Sequence, residues 1–488
     1  MTAASVRQPS RFLGYMAGRS TPLFIKVVEQ MVAQLGPKVE VFHLVIGDLY
    51  NYKLACAQKL SPKIRLAYQH EIMDPFRHPT KVDSQRLAEY EGKYGLPHLR
   101  QYILSHRLID FMEDQKRLAY LQTYLDYYES LWEQTRPDVF VTGGQDSLMF
   151  LAANAVFKQN GAIPLVMIPG RIPTRFLVID NHLELIPNLR ATFEAMDESS
   201  LSIEEVLTIK EMRKGFVERR MRLAAFDLGH RVKPFPSPRR LFSNVLRRFQ
   251  FQDWFFDQRP LDDMCRSAVI RLRWPFQQID QKRLEEKGIP ESKFFFYPLH
   301  YEPEATIDVQ GTIYRDQWHI IKRVSSALPL GYSIYIKEHP NMFSGLRRLG
   351  FYRDLVKLGN VRLISPSIDG HELIACCQGV ITIAGTAGFE ALFYGKPVLM
   401  FGRSFYEDFH EGVFRAGSYE EIALALRRMC DGIQFEPAQF DRFIAAILRR
   451  SYPGINELPA AGVDEPSNHA ALAKGLLAEL EFRLTRAA

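Results

Sequence analysis

The sequence predicts an α/β protein with two domains, and three observations support that prediction. The chain has 488 residues, more than one core normally holds, so we expect two domains of roughly 200 residues each. Strand and helix patterns alternate through residues 1–200, which we assign to an N-terminal domain. A second alternation over residues 286–465 contains five strand patterns and predicts a parallel, doubly wound sheet.

The N-terminal domain is predicted from short apolar segments separated by amphipathic ones. Strands are expected at the apolar segments 39–46, 136–142 and 163–168. Helices are expected over 118–132 and 148–158, where apolar residues recur at helical spacing. The strand, helix and strand between 136 and 168 form a βαβ unit, whose crossover should be right-handed.

Residues 201–285 are predicted to be a helical, basic linker or insertion between the domains. The net charge of the chain is +6, but residues 213–248 alone carry +9, which leaves −3 for the rest. Arginines interleaved with apolar residues over 213–256 favour contact with an anionic membrane surface, although a solvated helix face is the plainer alternative. No recognition motif for nucleic acid accompanies this charge.

The C-terminal domain contains the clearer alternation. Its strands are expected at 293–297, 332–337, 361–364, 380–383 and 397–401. Helices are expected over 317–328, from about residue 369, and immediately after 383. A final helix within 466–488 carries leucines on one side, at positions that include Leu472, Leu476 and Leu480.

Polar residues follow three of these strands, and they define the candidate binding site. Ligands of doubly wound sheets bind beyond the carboxyl ends of the strands. The residues that we predict to contact a donor there are His300, Glu304, Thr306, Lys337, Gly385, Thr386, Gly388 and Glu390, together with His339.

The segment "GTAGFEALFYGKP" from Gly385 onward predicts a phosphate site at a helix N-terminus. Two glycines allow close backbone approach, the helix dipole favours an anion, and Lys337 with His339 adds positive charge. Glu390 suits the hydroxyl groups of a ribose. Each residue also has a plain alternative, because a tight strand-to-helix turn and a first-turn carboxylate need no ligand.

Three motifs resemble a known family. "FYPLHYEPEAT", "IKEHP" and "GTAGFEALFYGKPVLMFG", in that order, resemble bacterial capsule and surface polysaccharide biosynthesis proteins, which are glycosyltransferases of the GT-B architecture and include Kdo transferases that use CMP-Kdo. The resemblance implies two Rossmann-like domains facing a cleft, a nucleotide sugar held by the second, and a final helix that braces the first. It implies that His339 and the glycine loop bind the donor phosphate, and that Glu390 binds the ribose.

The first domain departs from the pattern of the best-known Kdo-transferring members. Those proteins carry an acidic residue in the turn after a strand, whereas the turn at 168–173 contains none. Glycosyl transfer needs a group that deprotonates the acceptor or stabilises positive charge. We therefore assign catalysis to Asp146 and His339, with Asp180 as a further candidate at a strand end. Arg171 is expected to bind an anionic sugar or phosphate.

Composition excludes several other classes. No apolar run long enough to span a membrane is present, and the basic N-terminus is not expected to be a signal peptide. The five cysteines are scattered without a CxxC motif, and no DxD motif occurs, so we expect reduced thiols and no metal. No cofactor is predicted besides the nucleotide-sugar donor.

These observations lead to one functional hypothesis and two alternatives. We expect a cytoplasmic, peripheral-membrane glycosyltransferase that moves a sugar such as Kdo from CMP to a surface polysaccharide or its lipid-linked precursor. A nucleotide-sugar epimerase of the same two-domain build is the first alternative. A non-catalytic component of capsule assembly or export is the second.

Overall fold

The chain divides into two compact units. The computed structural model describes residues 8–69, 82–94, 99–105, 113–144, 147–218, 260–302, 304–340, 342, 346–433, 435–457 and 460–487. Among these residues, unit 1 contains those up to Pro187 and those from Arg450 onward, and unit 2 runs from Asn188 to Arg449. The last segment of the chain therefore belongs to unit 1.

Both units alternate strands with helices. The strands are β1 (Arg11–Met16), β2 (Val41–Ile46), β3 (Ile64–Tyr68), β4 (Val139–Thr142), β5 (Ile163–Pro169), β6 (Arg175–Ile179), β7 (Glu285–Glu286), β8 (Phe294–Pro298), β9 (Ser333–Lys337), β10 (Val361–Ile364), β11 (Val380–Thr382), β12 (Val398–Met400), β13 (Val413–Arg415) and β14 (Ser451–Pro453). The helices are α1 (Thr21–Leu35), α2 (Leu49–Cys56), α3 (Ser84–Lys93), α4 (Leu99–Ser105), α5 (Asp114–Thr135), α6 (Leu148–Gln159), α7 (Leu189–Glu194), α8 (Ile203–Val217), α9 (Pro260–Leu284), α10 (Ala305–Asp308), α11 (Gln317–Ala327), α12 (Phe351–Val356), α13 (Gly370–Cys376), α14 (Thr386–Phe393), α15 (Tyr419–Cys430), α16 (Pro437–Arg449) and α17 (Pro466–Ala487).

The sheet of unit 1 has the strand order β14-β6-β5-β4-β1-β2-β3. Strands β1 to β5 run parallel, whereas β6 and β14 are antiparallel to their neighbours. The chain moves outward from β1 to β3 and then returns to place β4 beside β1. The carboxyl ends of β1 and β4 therefore form the switch point of this sheet, where the direction of the strand order reverses.

The final helix α17 completes the core of unit 1. Leu472, Leu476 and Leu480 lie on one face of α17 and are buried in the same cluster as Phe24 and Val28 of α1. This packing follows from the i, i+4, i+8 spacing of the three leucines, which aligns them along one helix face. The prediction that the last helix braces the first domain is confirmed by these contacts.

The sheet of unit 2 is parallel throughout, in the order β13-β12-β11-β8-β9-β10-β7. Its central strands are buried and apolar, as expected of strands covered on both faces. From β8 the chain builds β9 and β10 on one side and then crosses to place β11 on the other. The switch point of unit 2 thus lies at the carboxyl ends of β8 and β11.

The predicted α/β class with two Rossmann-like domains is confirmed by these two sheets. Every strand expected from an apolar segment forms within a few residues of its predicted bounds, and the segment 361–364 forms β10 over the predicted residues. The sequence patterns missed β1, β3, β6 and the short edge strands β7, β13 and β14. Residues 219–259 of the basic linker lie outside the described residues, and the described parts on either side form α8 and α9.

Candidate functional site

The switch point of unit 2 brings the sequence motifs to one edge of the sheet. Pro298 at the end of β8 is in register with Lys337 at the end of β9. On the other side, the end of β8 adjoins the end of β11, which leads directly into the glycine loop at Gly385. Three of the motif-bearing strand ends therefore lie next to one another, at the edge where doubly wound sheets bind ligands.

His300 connects the ends of β8 and β11. Its Nε2 accepts a hydrogen bond from the backbone N–H of Ile383 at 3.2 Å and lies 3.0 Å from the hydroxyl of Thr382. The imidazole therefore carries its proton on Nδ1. Burial, reinforced by the positive charges of His339 and Arg347, lowers the pKa of His300 to about 3. His300 is neutral at physiological pH and adds no charge to a phosphate site.

The backbone of His300 is fixed by two buried side chains. Gln317 accepts the His300 N–H at 2.8 Å and donates to the His300 carbonyl at 3.2 Å. The guanidinium of Arg347 donates to the same carbonyl at 2.7 Å. The strand end is thus held by hydrogen bonds on both its donor and its acceptor groups, which limits its movement.

A buried ionic network surrounds Arg347. This side chain is fully buried and binds the carboxylate of Glu338 at 2.9 Å and that of Glu302 at 2.6 Å. Tyr352 donates its hydroxyl to Glu338 at 2.6 Å. Because Glu302 follows β8 and Glu338 follows β9, the network links two strand ends of the candidate site. The two carboxylates and Tyr352 offset the cost of burying the guanidinium charge.

The two glycines of the loop are required by packing. A Cβ at Gly385 would lie 2.8 Å from Cε1 of His300, and a Cβ at Gly388 would overlap the hydroxyl of Tyr406. That hydroxyl donates to the Gly385 carbonyl at 2.7 Å, and the Gly385 N–H donates to Thr382. A tight strand-to-helix turn, which needs no ligand, therefore accounts for both glycines. The N–H of Gly385 is used by Thr382 and is not offered to a phosphate.

The donors that face outward at this loop belong to the first turn of α14. Gly385 is the N-cap residue, and Thr386 and Ala387 are the first two residues of the helix. Both are partly exposed, and N–H groups at these positions of a helix have no acceptor within the helix. An anion placed here would also benefit from the positive end of the helix dipole.

Lys337 and Glu390 are brought together by the start of α13. A Cβ added to Gly370, the first residue of α13, would lie 3.9 Å from Nζ of Lys337. The next residue, His371, has its Nε2 3.8 Å from Oε2 of Glu390. The segment Asp369 to His371 was not predicted as part of the site, yet it lies between the two predicted residues.

Glu390 is largely buried, and its neighbour His371 is fixed in orientation. Tyr394 donates its hydroxyl to the carbonyl of Phe216 at 2.8 Å and lies 3.1 Å from Nδ1 of His371. Because the hydroxyl proton is used for Phe216, Nδ1 of His371 donates to Tyr394, which turns Nε2 toward Glu390. The carboxylate thus has a defined position next to an imidazole.

The other predicted donor residues surround this edge with their side chains partly exposed. The rings of His339 and Tyr301 meet edge to face, with centroids 5.8 Å apart. Glu304 is the N-cap residue of α10 and Thr306 lies inside that helix. These residues occupy the ends of β8 and β9, so the structure places the whole predicted donor set in unit 2.

The residues predicted in the first domain have different surroundings. Asp146 lies outside the described residues. Arg171 lies in the tight turn between β5 and β6 and forms an ion pair with Glu184 at 2.7 Å. Asp180 follows β6, which runs antiparallel to β5. It therefore lies at the edge of the sheet opposite the switch point. There its carboxylate forms an ion pair with Lys158 at 3.1 Å. Asp180 is therefore excluded as a strand-end catalyst.

A carboxylate that the sequence analysis missed follows β2. Asp48 lies at the carboxyl end of that strand and caps α2 by accepting the N–H of Asn51 at 2.9 Å. Its other oxygen accepts the N–H of Gly18 at 3.1 Å. Asp48 thus ties the loop after β1 to the start of α2. The N-cap pattern before "LYNYK" was the available signal, but no strand had been assigned to β1.

No helix in the described part of the chain is both long and apolar enough to cross a membrane. In the same part of the chain, no group of three or more His, Cys, Asp or Glu side chains is placed to hold a metal ion.

Comparison with known proteins identifies relatives of this region. Residues 257–443 match the family model described as capsule polysaccharide biosynthesis protein. The capsule polysaccharide modification protein LipA of Neisseria meningitidis serogroup A is 33% identical over 73 residues, which is 15% of this chain and 10% of LipA. The chain thus matches about a tenth of the length of this curated relative.

Similarity to solved structures is weaker. The β-Kdo 2,7 transferase KpsC of Thermosulfurimonas dismutans is 14% identical, with a TM-score of 0.33, and the similarity covers 73% of this chain and 89% of that one. The UDP-GlcNAc 2-epimerase of Methanocaldococcus jannaschii is 11% identical, with a TM-score of 0.27 and coverage of 90% and 98%.

The family match covers all of the strand ends that carry the three motifs. The segment 257–443 contains β8, β9 and β11 together with the glycine loop. The resemblance of this chain to capsule polysaccharide biosynthesis proteins, first indicated by those motifs, is thereby confirmed.

Proposed function

We propose that the protein is a glycosyltransferase that acts in the synthesis of capsule or another surface polysaccharide. The observation that carries this proposal is the switch point of unit 2, where the motif-bearing ends of β8, β9 and β11 adjoin within the family-matched segment. This edge combines partly exposed N–H donors, cationic side chains and a positioned carboxylate. Those are the groups that a nucleotide sugar requires.

The donor would lie across α14 and the end of β9. Its phosphate would accept hydrogen bonds from the N–H groups of Thr386 and Ala387, with Lys337 and His339 supplying positive charge. Its ribose hydroxyls would donate to Glu390, whose carboxylate lies 3.8 Å from Nε2 of His371. Stabilisation of the departing nucleotide phosphate by these groups would lower the barrier to transfer.

The donor sugar proposed is Kdo, or another acidic sugar, carried by CMP. The resemblance of the three motifs to Kdo transferases supports this choice. The acceptor would be a surface polysaccharide or its lipid-linked precursor and would bind through unit 1. There we propose that Asp146 acts as general base and that Arg171 binds an anionic group of the acceptor or donor.

The proposed location is the cytoplasm, with peripheral attachment to the inner membrane. The basic segment 213–256 was expected to provide that attachment, but it lies outside the described residues beyond Glu218. Within its described part, Arg213 is bound to Asp441 at 2.6 Å.

Thermal-shift measurements with CMP, UDP, GDP and CDP test the donor site first. We expect CMP to raise the melting temperature, because bound ligand stabilises the folded state by mass action. Stabilisation by none of the four nucleotides would contradict the donor site and favour a non-catalytic assembly component.

Product analysis with the matching nucleotide sugar tests the reaction itself. Transfer of the sugar to a polysaccharide or lipid-linked acceptor supports the proposal. Conversion of the donor to its epimer without transfer would instead identify an epimerase.

A further inference from the structure

Helix α9 presents one face to the core of unit 2 and a second apolar face to solvent. On the inner face, Gln277 is fully buried and donates to the carbonyl of Arg347 at 3.1 Å. Asp280, beside that face, pairs with Arg353 at 3.1 Å. The helix is therefore docked on the rest of unit 2 through polar contacts, and the orientation of its other face is fixed.

The outer face is a line of large apolar side chains. Val269 is 44% exposed, Leu272 70%, Phe276 64% and Ile279 63%. Their spacing of three, four and three residues places all four within about 80° around the helix axis, at 100° per residue. The line is about 15 Å long at 1.5 Å per residue. We call these four residues the α9 face.

Four large apolar side chains are exposed in one row on α9. Isolated exposed apolar residues are common on soluble proteins, but a contiguous row of four marks a surface that another body covers. The inner face of α9 is held on unit 2 by the amide nitrogen of Gln277 and the carboxylate of Asp280. Packing against the described residues of unit 2 thus does not explain the apolar spacing of the outer face.

The charge around the α9 face is positive. Residues 268–287 contain Arg271, Arg273, Lys282, Arg283 and Lys287 against Asp280, Glu285 and Glu286, a net charge of +2. Asp280 is paired with Arg353. Arg273, Lys282 and Arg283 are exposed. Helical geometry places Arg273 on one side of the apolar row, Lys282 on the other, and Arg283 at its end.

We propose that the α9 face docks on an anionic lipid bilayer, with the helix lying in the plane of the membrane surface. The apolar side chains would enter the boundary between headgroups and acyl chains, and the flanking cations would bind the headgroup phosphates. A convex helix with an apolar row and basic flanks is the form that such interfacial helices take. The inference does not depend on the reaction that the protein catalyses.

A second copy of the chain fits this face less well. Pairing two copies through the same row would bring Arg273 and Arg283 of one copy near the same cations of the other. Like charges placed together oppose association, and charged residues are depleted from the centres of protein interfaces. An anionic surface neutralises the same charges.

Liposome flotation of the full chain tests the proposal. The vesicles are phosphatidylcholine alone, and phosphatidylcholine with 30% phosphatidylglycerol. The test variants are Leu272→Glu with Phe276→Glu, which breaks the apolar row, and Arg273→Glu with Lys282→Glu, which reverses the flanking charge. The matched control is Ile313→Glu with Leu330→Glu, because both side chains are large, apolar and highly exposed in the same unit.

The expected result is flotation of the wild type with the anionic vesicles only. The apolar-row variant should lose at least about tenfold in partition, since buried apolar area and charge both set the affinity of interfacial helices. The charge variant should lose its preference for phosphatidylglycerol, and the control should match the wild type. Unchanged melting temperatures should accompany all of these variants, because every substituted side chain is exposed.

Three outcomes would overturn the proposal. Flotation of the apolar-row variant at the wild-type level would assign any binding to another part of the chain, including 213–256. An equal loss in the control would make the effect non-specific. A dimer in light scattering that the apolar-row variant abolishes, with no flotation of the wild type, would show that a second copy covers this face. Nucleotide binding is measured separately, so failure here leaves the proposed reaction untouched.

Discussion

The switch points of the two sheets have the same topology but are held together by different interactions. In unit 1 hydrogen bonds join the strand ends: Asp48 accepts the N–H groups of Gly18 and Asn51, and the hydroxyl of Tyr15 donates to Gln69 at 2.8 Å. Glycine at position 144 allows the ring of Phe150 to approach, since a Cβ there would lie 2.7 Å from the ring. In unit 2 the corresponding strand ends are joined by the buried ions of Arg347 and Glu338 together with the partly exposed carboxylate of Glu302.

The two kinds of interaction suit the two sheet edges to different ligands. A buried charge network with every partner in place is costly to disturb, so it fixes the strand ends from which ligand-binding groups project. Such an edge suits a charged nucleotide, whose phosphate and ribose need donors and a carboxylate at fixed separations. The edge of unit 1, in its described part, lacks a buried guanidinium network of this kind.

Removing Arg347 should have the largest effect on stability. Arg347→Met leaves Glu338 buried without its counter-ion, so we expect the free energy of unfolding to fall by about 3–5 kcal/mol. Arg348→Met is the matched control, because Arg348 is half exposed and pairs with Asp354 at the surface; its cost should stay below about 1 kcal/mol. Urea denaturation measures both, and equal losses would refute the distinction between a buried network and a surface pair.

Filling the space at Gly388 should have the next largest effect. Gly388→Ala places a methyl group against the hydroxyl of Tyr406, and overpacking of this kind costs about 1–3 kcal/mol. Tyr406→Phe removes that hydroxyl, so the double variant should lose less stability than the sum of the two single losses. Gly92→Ala, in the last turn of α3 where a Cβ meets no neighbour, is the control and should cost nothing or stabilise by up to about 1 kcal/mol. Strict additivity of the pair would argue against the predicted overlap.

Acid pH should destabilise unit 2 through His300. Its folded pKa of about 3 is below the value of 6.5 for a free histidine, so the unfolded chain binds a proton first as the pH falls. The stability from neutral His300 is complete above about pH 6.5 and is lost by about 1.4 kcal/mol per pH unit between 6.5 and 3. His300→Gln should reduce this slope by one proton, and the exposed control His319→Gln should reduce it less. Identical slopes in the two variants would contradict a neutral, buried His300.

Removing the Asp48 carboxylate, which ties the loop after β1 to α2 in unit 1, should have the smallest effect on stability. Asp48→Ala removes the N-cap of α2 and the acceptor of the Gly18 N–H, for an expected loss of about 1–2 kcal/mol. Asp48→Asn keeps a cap and should lose less, because asparagine caps helices about as well as aspartate. Thermal melts of the two variants measure the difference. A larger loss for the asparagine variant would assign Asp48 a role that requires its charge.

The sequence alone predicted the strands of unit 2 that carry the candidate site residues, because those residues lie within contiguous motifs at strand ends. Hydrophobic runs located the strands, and the rule for doubly wound sheets then located Lys337 and Glu390. The interpretation of the glycines was incomplete, since contacts with Tyr406 and His300 arise only in the folded unit.

The residues that the sequence could not identify are those whose partners lie far along the chain. Arg347 occurs in a segment without a pattern, and its role appears only when Glu302 and Glu338 are brought together. His371 was inside an expected helix, but its proximity to Glu390 depends on how α13 and α14 pack. Strand β1 was missed for a different reason. Its segment, RFLGYM, lacks a run of consecutive apolar residues like those in β2 and β4.

Calorimetric binding of CMP and of 2′-deoxy-CMP tests the central claim that unit 2 binds a nucleotide with Glu390 on the ribose. For the wild type we expect CMP to bind about tenfold more tightly than 2′-deoxy-CMP. The deoxy nucleotide lacks one of the hydroxyls that would donate to Glu390, so the carboxylate loses a charge-assisted hydrogen bond. In Glu390→Gln this preference should fall toward one, whereas Glu420→Gln, an exposed first-turn carboxylate of α15, should keep it. The same preference for CMP in all three proteins, or no binding of either nucleotide, would contradict the account.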